Sequence, residues 1–187
     1  MAEALLVMDV QNGIVDRFDV PEGYLDRVVA AVEKAEQTGV LVVLVRVAFS
    51  PGHPEVSPRN KSFSALRDGM AMVSGDRSTE PAARLLRGNG EVLVTKKRVS
   101  AFAGSDLELV LRSHNVTTLV LTGIATSGVV LSTVREAADR DYRLIVLEDL
   151  CLDADEEVHR VLTTKVFPRQ AEVINSATWQ PASAAGG

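Results

Sequence analysis

The chain has 187 residues, 46% of them hydrophobic, and a formal net charge of −5. That length and apolar content suit one domain with a real core, and the acidic balance argues against nucleic acid or an anionic membrane as the main partner. A single cysteine, Cys151, excludes an intrachain disulfide, and the first apolar run, Ala4 to Met8, is too short for a signal peptide or a membrane span, so a soluble cytoplasmic protein is expected.

Leu5-Leu6-Val7-Met8 predicts a first buried strand that delivers Asp9 to its carboxyl end, before the turn-forming Gln11-Asn12-Gly13. Ligands of open parallel sheets bind at that edge, so Asp9 either serves chemistry there or caps the turn that follows. Tyr24 to Gln37 repeats Leu25, Val28, Val29, Val32 and Ala35 at helical spacing, and Gly39 stops the helix. Val40 to Val47 is a second strand, dense in β-branched residues. Phe49 to Asp76 then mixes Pro51, Pro54 and Pro58 with Gly52, Gly69 and Gly75 among polar residues. Such a long connection is expected to be a lid or substrate-covering loop, with one short helix near Ser62 to Arg67. His53 lies in it without a second histidine nearby, since His114 and His159 fall in other elements. A surface or substrate-contact role is therefore expected for His53 over metal ligation.

Thr79 or Glu80 with Pro81 opens a short predicted helix through Leu86, which Gly88-Asn89-Gly90 ends. Glu91 to Thr95 is a third strand that delivers Lys96-Lys97-Arg98, a run that is either a solvated edge or has one member turned inward to a carboxylate. Ser105 or Asp106 caps a helix bearing Leu107, Val110 and Leu111. The chain is organised around the next stretch, Thr117 to Asp139. Leu119-Val120-Leu121 is a buried strand, Gly123 breaks it, and Thr126 or Ser127 can cap a helix whose apolar face includes Val129, Val130, Val134 and Ala137. Strand, tight turn and helix start point free N–H groups and the positive end of the helix dipole at whatever binds there. The same pattern also describes an ordinary βα unit. Arg143 to Leu147 is a fifth strand leading to Glu148-Asp149, Asp155 to Phe167 a helix, and Ala171 to Ile174 a last strand. Residues 1–177 are expected to form the domain, and 178–187, with its run from Pro181 to Gly187, a disordered tail.

Strands alternating with helices predict an α/β fold: a three-layer, doubly wound (Rossmann-like) sheet of about six mainly parallel strands with helices on both faces. No G-x-G-x-x-G follows the first strand and no P-loop occurs, so dinucleotide and nucleoside-triphosphate binding lack support. No cofactor and no metal are expected.

The pattern resembles the isochorismatase-like, or cysteine hydrolase, superfamily from about Ala4 to Ile174. Three motifs carry the resemblance, in that family's order: Leu6-Val7-Met8-Asp9-Val10-Gln11-Asn12, Lys96-Lys97-Arg98-Val99-Ser100-Ala101-Phe102, and Thr122-Gly123-Ile124-Ala125-Thr126. The resemblance implies Asp9 and Lys96 as catalytic residues, a non-proline cis peptide joining Ile124 to Ala125, and a homodimer or larger assembly acting on a small molecule. It also exposes a departure. The family's nucleophilic cysteine lies three residues after the threonine, and here that residue is Val129, which has no heteroatom to form a thioester. Cys151 lies after the next strand and reads as a buried thiol.

Metal-dependent nicotinamidase-like members carry an Asp and two His in the loop after the second strand, where this chain has His53 alone. The Lys96 segment resembles the isochorismatases themselves, which dispense with the cysteine and use the Asp as a proton donor on a vinyl ether. Two functions follow. One is a hydrolase with Asp9 as general acid/base, Lys96 holding it and an anionic group of the substrate, and the Gly128 and Val129 N–H groups beside Ile124–Ala125 as oxyanion donors. The other is a non-catalytic relative kept for binding or assembly. Expected substrate contacts are Gln11, Phe49 and His53 from the first two strand ends, Arg98 and Phe102 from the third, and Thr126 and Ser127 from the fourth.

Overall fold

The computed structural model describes residues 2–182. Six parallel strands form one sheet: β1 (Ala2–Met8), β2 (Leu41–Val47), β3 (Val92–Lys96), β4 (Val116–Ile124), β5 (Arg143–Leu152) and β6 (Glu172–Ile174). Their order is β3-β2-β1-β4-β5-β6. The near-continuous apolar runs of β1 and β4 reflect burial on both faces, as parallel sheets require. On one face α2 (Tyr24–Gln37) packs Tyr24, Val28 and Val32 against Leu5, Val7, Leu44 and Val120. On the other, α4 (Leu107–Ser113) and α5 (Leu131–Asp139) pack Leu107, Leu111, Val134 and Ala137 against Leu6, Met8 and Leu121. The predicted three-layer α/β architecture is the one observed. Strand order reverses between β1 and β4, and sheets of this kind bind ligands at the carboxyl ends flanking such a reversal.

Several boundaries move. β5 continues through Glu148-Asp149 to Leu152, because Asp149 turns to accept bonds from the Ser176 backbone N–H and hydroxyl, at 2.7 and 2.6 Å. The helix expected from Thr79 to Leu86 is instead two 3-10 turns, Arg77–Thr79 and Ala83–Leu85, with Pro81 between them. The helix expected over 155–167 is α6 (Glu156–Val161) running into a π-helical turn, Leu162–Val166, and a 3-10 turn at Pro168. A short α1 (Asn12–Val15) replaces the turn after Asp9.

The expected disordered tail does not start at 178. Trp179 is 1% exposed in the core under α2, and its ring N–H donates to Glu3 at 2.9 Å. The last five residues of the expected tail lie outside the described residues. The segment after β2 is also more than a loop. It holds α3 (Lys61–Asp68), capped by the Asn60 side chain, and a small core of its own from Val47, Phe49, Val56, Phe63 and Met72. Among the described residues no helix is long and apolar enough to cross a membrane.

Candidate active site

The pairing registers align the strand ends in a row. Lys96 of β3 pairs with Val47 of β2, Val45 with Met8 of β1, Met8 with Gly123 of β4, and Gly123 with Cys151 of β5. Asp9 leaves β1 in the left-handed region, φ +59°, with its N–H bonded to the Val45 carbonyl at 2.8 Å. That kink aims its carboxyl along the sheet edge toward Lys96. The Lys96 Nζ lies 3.0 Å from Asp9 Oδ2, with the two side chains only 2% and 8% exposed.

The same Nζ donates to the Arg98 carbonyl at 2.9 Å and the Val99 carbonyl at 3.1 Å. An ammonium has three N–H bonds, so all are occupied and none is left for an anionic group of a substrate. Lys96 is spent on holding Asp9 and the Arg98 and Val99 carbonyls. Asp9 Oδ1 is buried and has no partner among the described residues. Burial pushes the Asp9 carboxyl above its ordinary value, and the Lys96 charge and hydrogen bond only partly oppose that shift. A buried acid with one oxygen clamped and the other unpartnered can hold and deliver a proton.

Ile124 and Ala125 are joined by a cis peptide bond, as the resemblance implied. A π-helical turn, Thr126–Val130, then enters α5 with Ala125 at its cap position and no side-chain cap. Neither Thr126 nor Ser127 caps it. Thr126 is fully buried and its hydroxyl shares a 2.8 Å hydrogen bond with His159 Nδ1, while the Ser127 N–H donates to Asp153 Oδ2 at 2.7 Å. The Gly128 N–H donates to the Ala125 carbonyl at 3.1 Å and so is not a free oxyanion donor. Val129 is 2% exposed and packs with the core under α5.

Most of the other expected contacts are committed elsewhere. Gln11 is a backbone clamp: its amide accepts from the Val47 N–H at 2.9 Å and donates to the Val47 carbonyl at 3.1 Å, with the Ser78 carbonyl also at 3.1 Å. Phe49 is buried in the small core after β2, its ring 5.3 Å from that of His53. His53 is buried, not on the surface, and its Nε2 sits 2.7 Å from the Ala71 carbonyl. Arg98 donates to the Glu55 carbonyl at 2.8 Å, and Lys97 reaches Glu55 Oε1 at 3.3 Å, so both tie down the segment after β2. Phe102 lies in the helix layer, 6.0 Å from the Tyr142 ring and under the Arg140 guanidinium at 4.7 Å. Asp153 and His159, absent from the expected set, brace the turn after β4. Asp153 sits directly after β5, and His159 lies in the last turn of the short capped helix that follows; that placement next to a strand end is the sequence signal that marks them.

Cys151 is 2% exposed and burial pushes its thiol up to about 12. Native protein treated with iodoacetamide at pH 8 is therefore expected to stay unmodified by intact-mass analysis, and Cys151→Ser to keep any activity. Rapid labelling that abolished turnover would mean that the thiol takes part.

The isochorismatase domain model matches residues 3–178. YecD of Escherichia coli, described as an uncharacterized isochorismatase family protein, is 31% identical over 173 residues, 91% of this chain and 90% of its own. The ureidoacrylate amidohydrolase RutB of Variovorax paradoxus is 31% identical over 168 residues, 78% of this chain and 67% of its own. Among solved structures, N-carbamoylsarcosine amidase from Thermoplasma acidophilum matches with a TM-score of 0.80 at 26% identity, covering 97% of this chain and 100% of that one. An isochorismatase family protein from Burkholderia thailandensis matches with a TM-score of 0.81 at 27% identity, covering 94% and 92%.

Proposed function

We propose, for a chain that belongs to the isochorismatase family of hydrolases, that it hydrolyses a small molecule with Asp9 as general acid/base and no covalent nucleophile. One observation carries this reading: a buried carboxyl whose Oδ2 is fixed by Lys96 and whose Oδ1 has no partner among the described residues. Asp9 gives its Oδ1 proton to the substrate, water adds to the carbon made electron-poor and returns one proton to Asp9, and the adduct's hydroxyl proton passes to the leaving oxygen as the carbon–oxygen bond breaks. Lys96 stabilises the charge of the carboxylate formed in between and keeps it oriented. Amides fit poorly, because Val129 offers no atom to carry the acyl group. An acid-labile ether suits the site better. A hydrolase screen of purified protein on vinyl ethers, esters and amides tests the reading, with Asp9→Asn as the control.

The burial of Val129 favours a second reading, a family member that binds or assembles without turnover. Val129→Cys in a Cys151→Ser background separates the two. The swap changes little volume and is expected to cost little stability. Residue 129 lies in the first turn of a helical run from Thr126 to Asp139, and thiols at helix starts titrate at roughly 3.5–7.5 rather than about 8.5. Alkylation is expected to reach half its maximal rate below the ordinary thiol value. A half-point at or above the ordinary thiol value would show that burial of residue 129 outweighs the helix start and favour the non-catalytic reading.

A further inference from the structure

A cavity of about 630 Å³ opens at the carboxyl end of β5, within the size range of small-molecule sites. Neither Asp9 nor Lys96 lines it. Its walls nonetheless attach to the acid site from three sides. Arg17 to Pro21 follow α1, which begins three residues after Asp9. Cys151 and Leu152 of β5 pair with Gly123 and Ile124, and Gly123 pairs with Met8, so the floor lies two strand spacings, about 10 Å, from the strand that carries Asp9. His159 lines the third wall and is bonded through Nδ1 to Thr126, the second residue past Ile124. A molecule of ordinary metabolite size spans that distance.

The lining has a definite chemistry. Phe18, Pro21 and Leu152 supply an apolar surface, and Cys151, buried and pushed toward its neutral form, adds no charge. Asp19, Asp153 and Glu156 stand against Arg17 alone, so carboxylates outnumber fixed cations three to one. Thr126 is fully buried and fixes the His159 ring through Nδ1; no partner for Nε2 occurs among the described residues. The cavity thus combines a flat apolar wall, one oriented ring nitrogen and a surplus of negative charge.

We propose that this cavity binds the non-reacting end of the substrate, and that this end is an ammonium group on an aromatic or aliphatic body. The body lies on Phe18, Pro21 and Leu152, and the ammonium faces Asp19 and Glu156. The far end then reaches past the Ile124–Ala125 bend to Asp9. The assignment rests on Asp9 being the reacting carboxyl, but its test does not need turnover.

Phenethylamine and 3-phenylpropionate carry the same ring with opposite charge, and calorimetric titration of the intact protein at low ionic strength compares them. The amine is expected to bind about tenfold more tightly or better, since exposed carboxylates contribute modestly and salt screens them. Asp19→Asn with Glu156→Gln should bring the ratio toward one, and added salt should do the same. Leu152→Trp, which narrows the cavity at its apolar wall, should weaken binding of both. If that variant does not fold, Phe18→Ala should weaken both probes together. No measurable amine binding, equal affinity for the carboxylate, or indifference to Leu152→Trp or Phe18→Ala in folded protein overturns the proposal. Asp9→Asn should leave amine binding intact. Amine binding together with turnover that survives Asp9→Asn would sink the acid mechanism alone, and Asp9-dependent turnover without amine binding would sink the cavity alone.

Discussion

Asp9→Asn is expected to lower turnover by about 10²–10⁴-fold while leaving a folded protein, the range lost when a positioned acid or base is removed. The substitution keeps the side chain's size, and the amide oxygen can still accept from Lys96, so the strand end should hold. What disappears is the proton on Oδ1. Some stability goes as well, because the Lys96 ammonium keeps two carbonyls and an amide but loses its counter-charge. Breaking a buried pair outright costs about 3–5 kcal/mol, and the retained hydrogen bond should hold the loss below that. Turnover measured beside thermal unfolding separates the two effects. Unchanged turnover would remove Asp9 from the mechanism.

The same residue sets a pH dependence with a definite sign. Burial holds its carboxyl above the ordinary carboxylate value in the folded chain, so the folded state binds that proton more tightly than the unfolded state. The stability this linkage contributes is fully present below the unfolded value and is lost as pH rises through the folded value. Activity that needs the acid form falls over the same rise. Asp9→Asn should erase the stability change across that window.

Sequence showed the strand ends well and the directions of their side chains poorly. Asp9 and Lys96 were legible because apolar β-rich runs stop at each of them, and parallel strands bring such ends to one edge. Gln11, Phe49 and His53 follow strand ends too, yet none faces the site. Gln11 reads as a polar turn residue, but its amide matches the N–H and C=O of Val47 and continues the sheet's bonding sideways. Phe49 and His53 are drawn into a core that exists only because Phe63 and Met72 fold back onto them. That is a long-range effect no local pattern carries. Glu148-Asp149 looked like the end of β5 because two carboxylates are poor strand interior, and only the distant Ser176 satisfies Asp149. The turn after β4 looked self-capped, and instead Asp153 and His159 come from the next connection to hold it.

Gly123→Ala is expected to be the most damaging single-atom addition at the site, costing about 4 kcal/mol or more, at the exceptional end for point changes. Gly123 has φ +150°, and a Cβ built there would lie 2.2 Å from the Met8 carbonyl oxygen and 3.0 Å from the Met8 carbonyl carbon and Cβ. The first two are backbone atoms of the neighbouring central strand, paired with Gly123 in register, and no side-chain rotation moves them. Relief requires β1 and β4 to part at the point where β1 hands over to Asp9. The variant should therefore lose stability and, in whatever fraction folds, misplace the acid. Gly52→Ala is the matched control: φ is +78°, but nothing lies within 4 Å of its Cβ, so only left-handed strain of roughly 1–2 kcal/mol applies. Denaturation midpoints of the two variants compare steric contact with backbone strain directly. With about 5–15 kcal/mol holding a typical domain together, Gly123→Ala takes a large share and Gly52→Ala a small one. If the two cost the same, the close approach of β4 to Met8 is not what requires a glycine at 123.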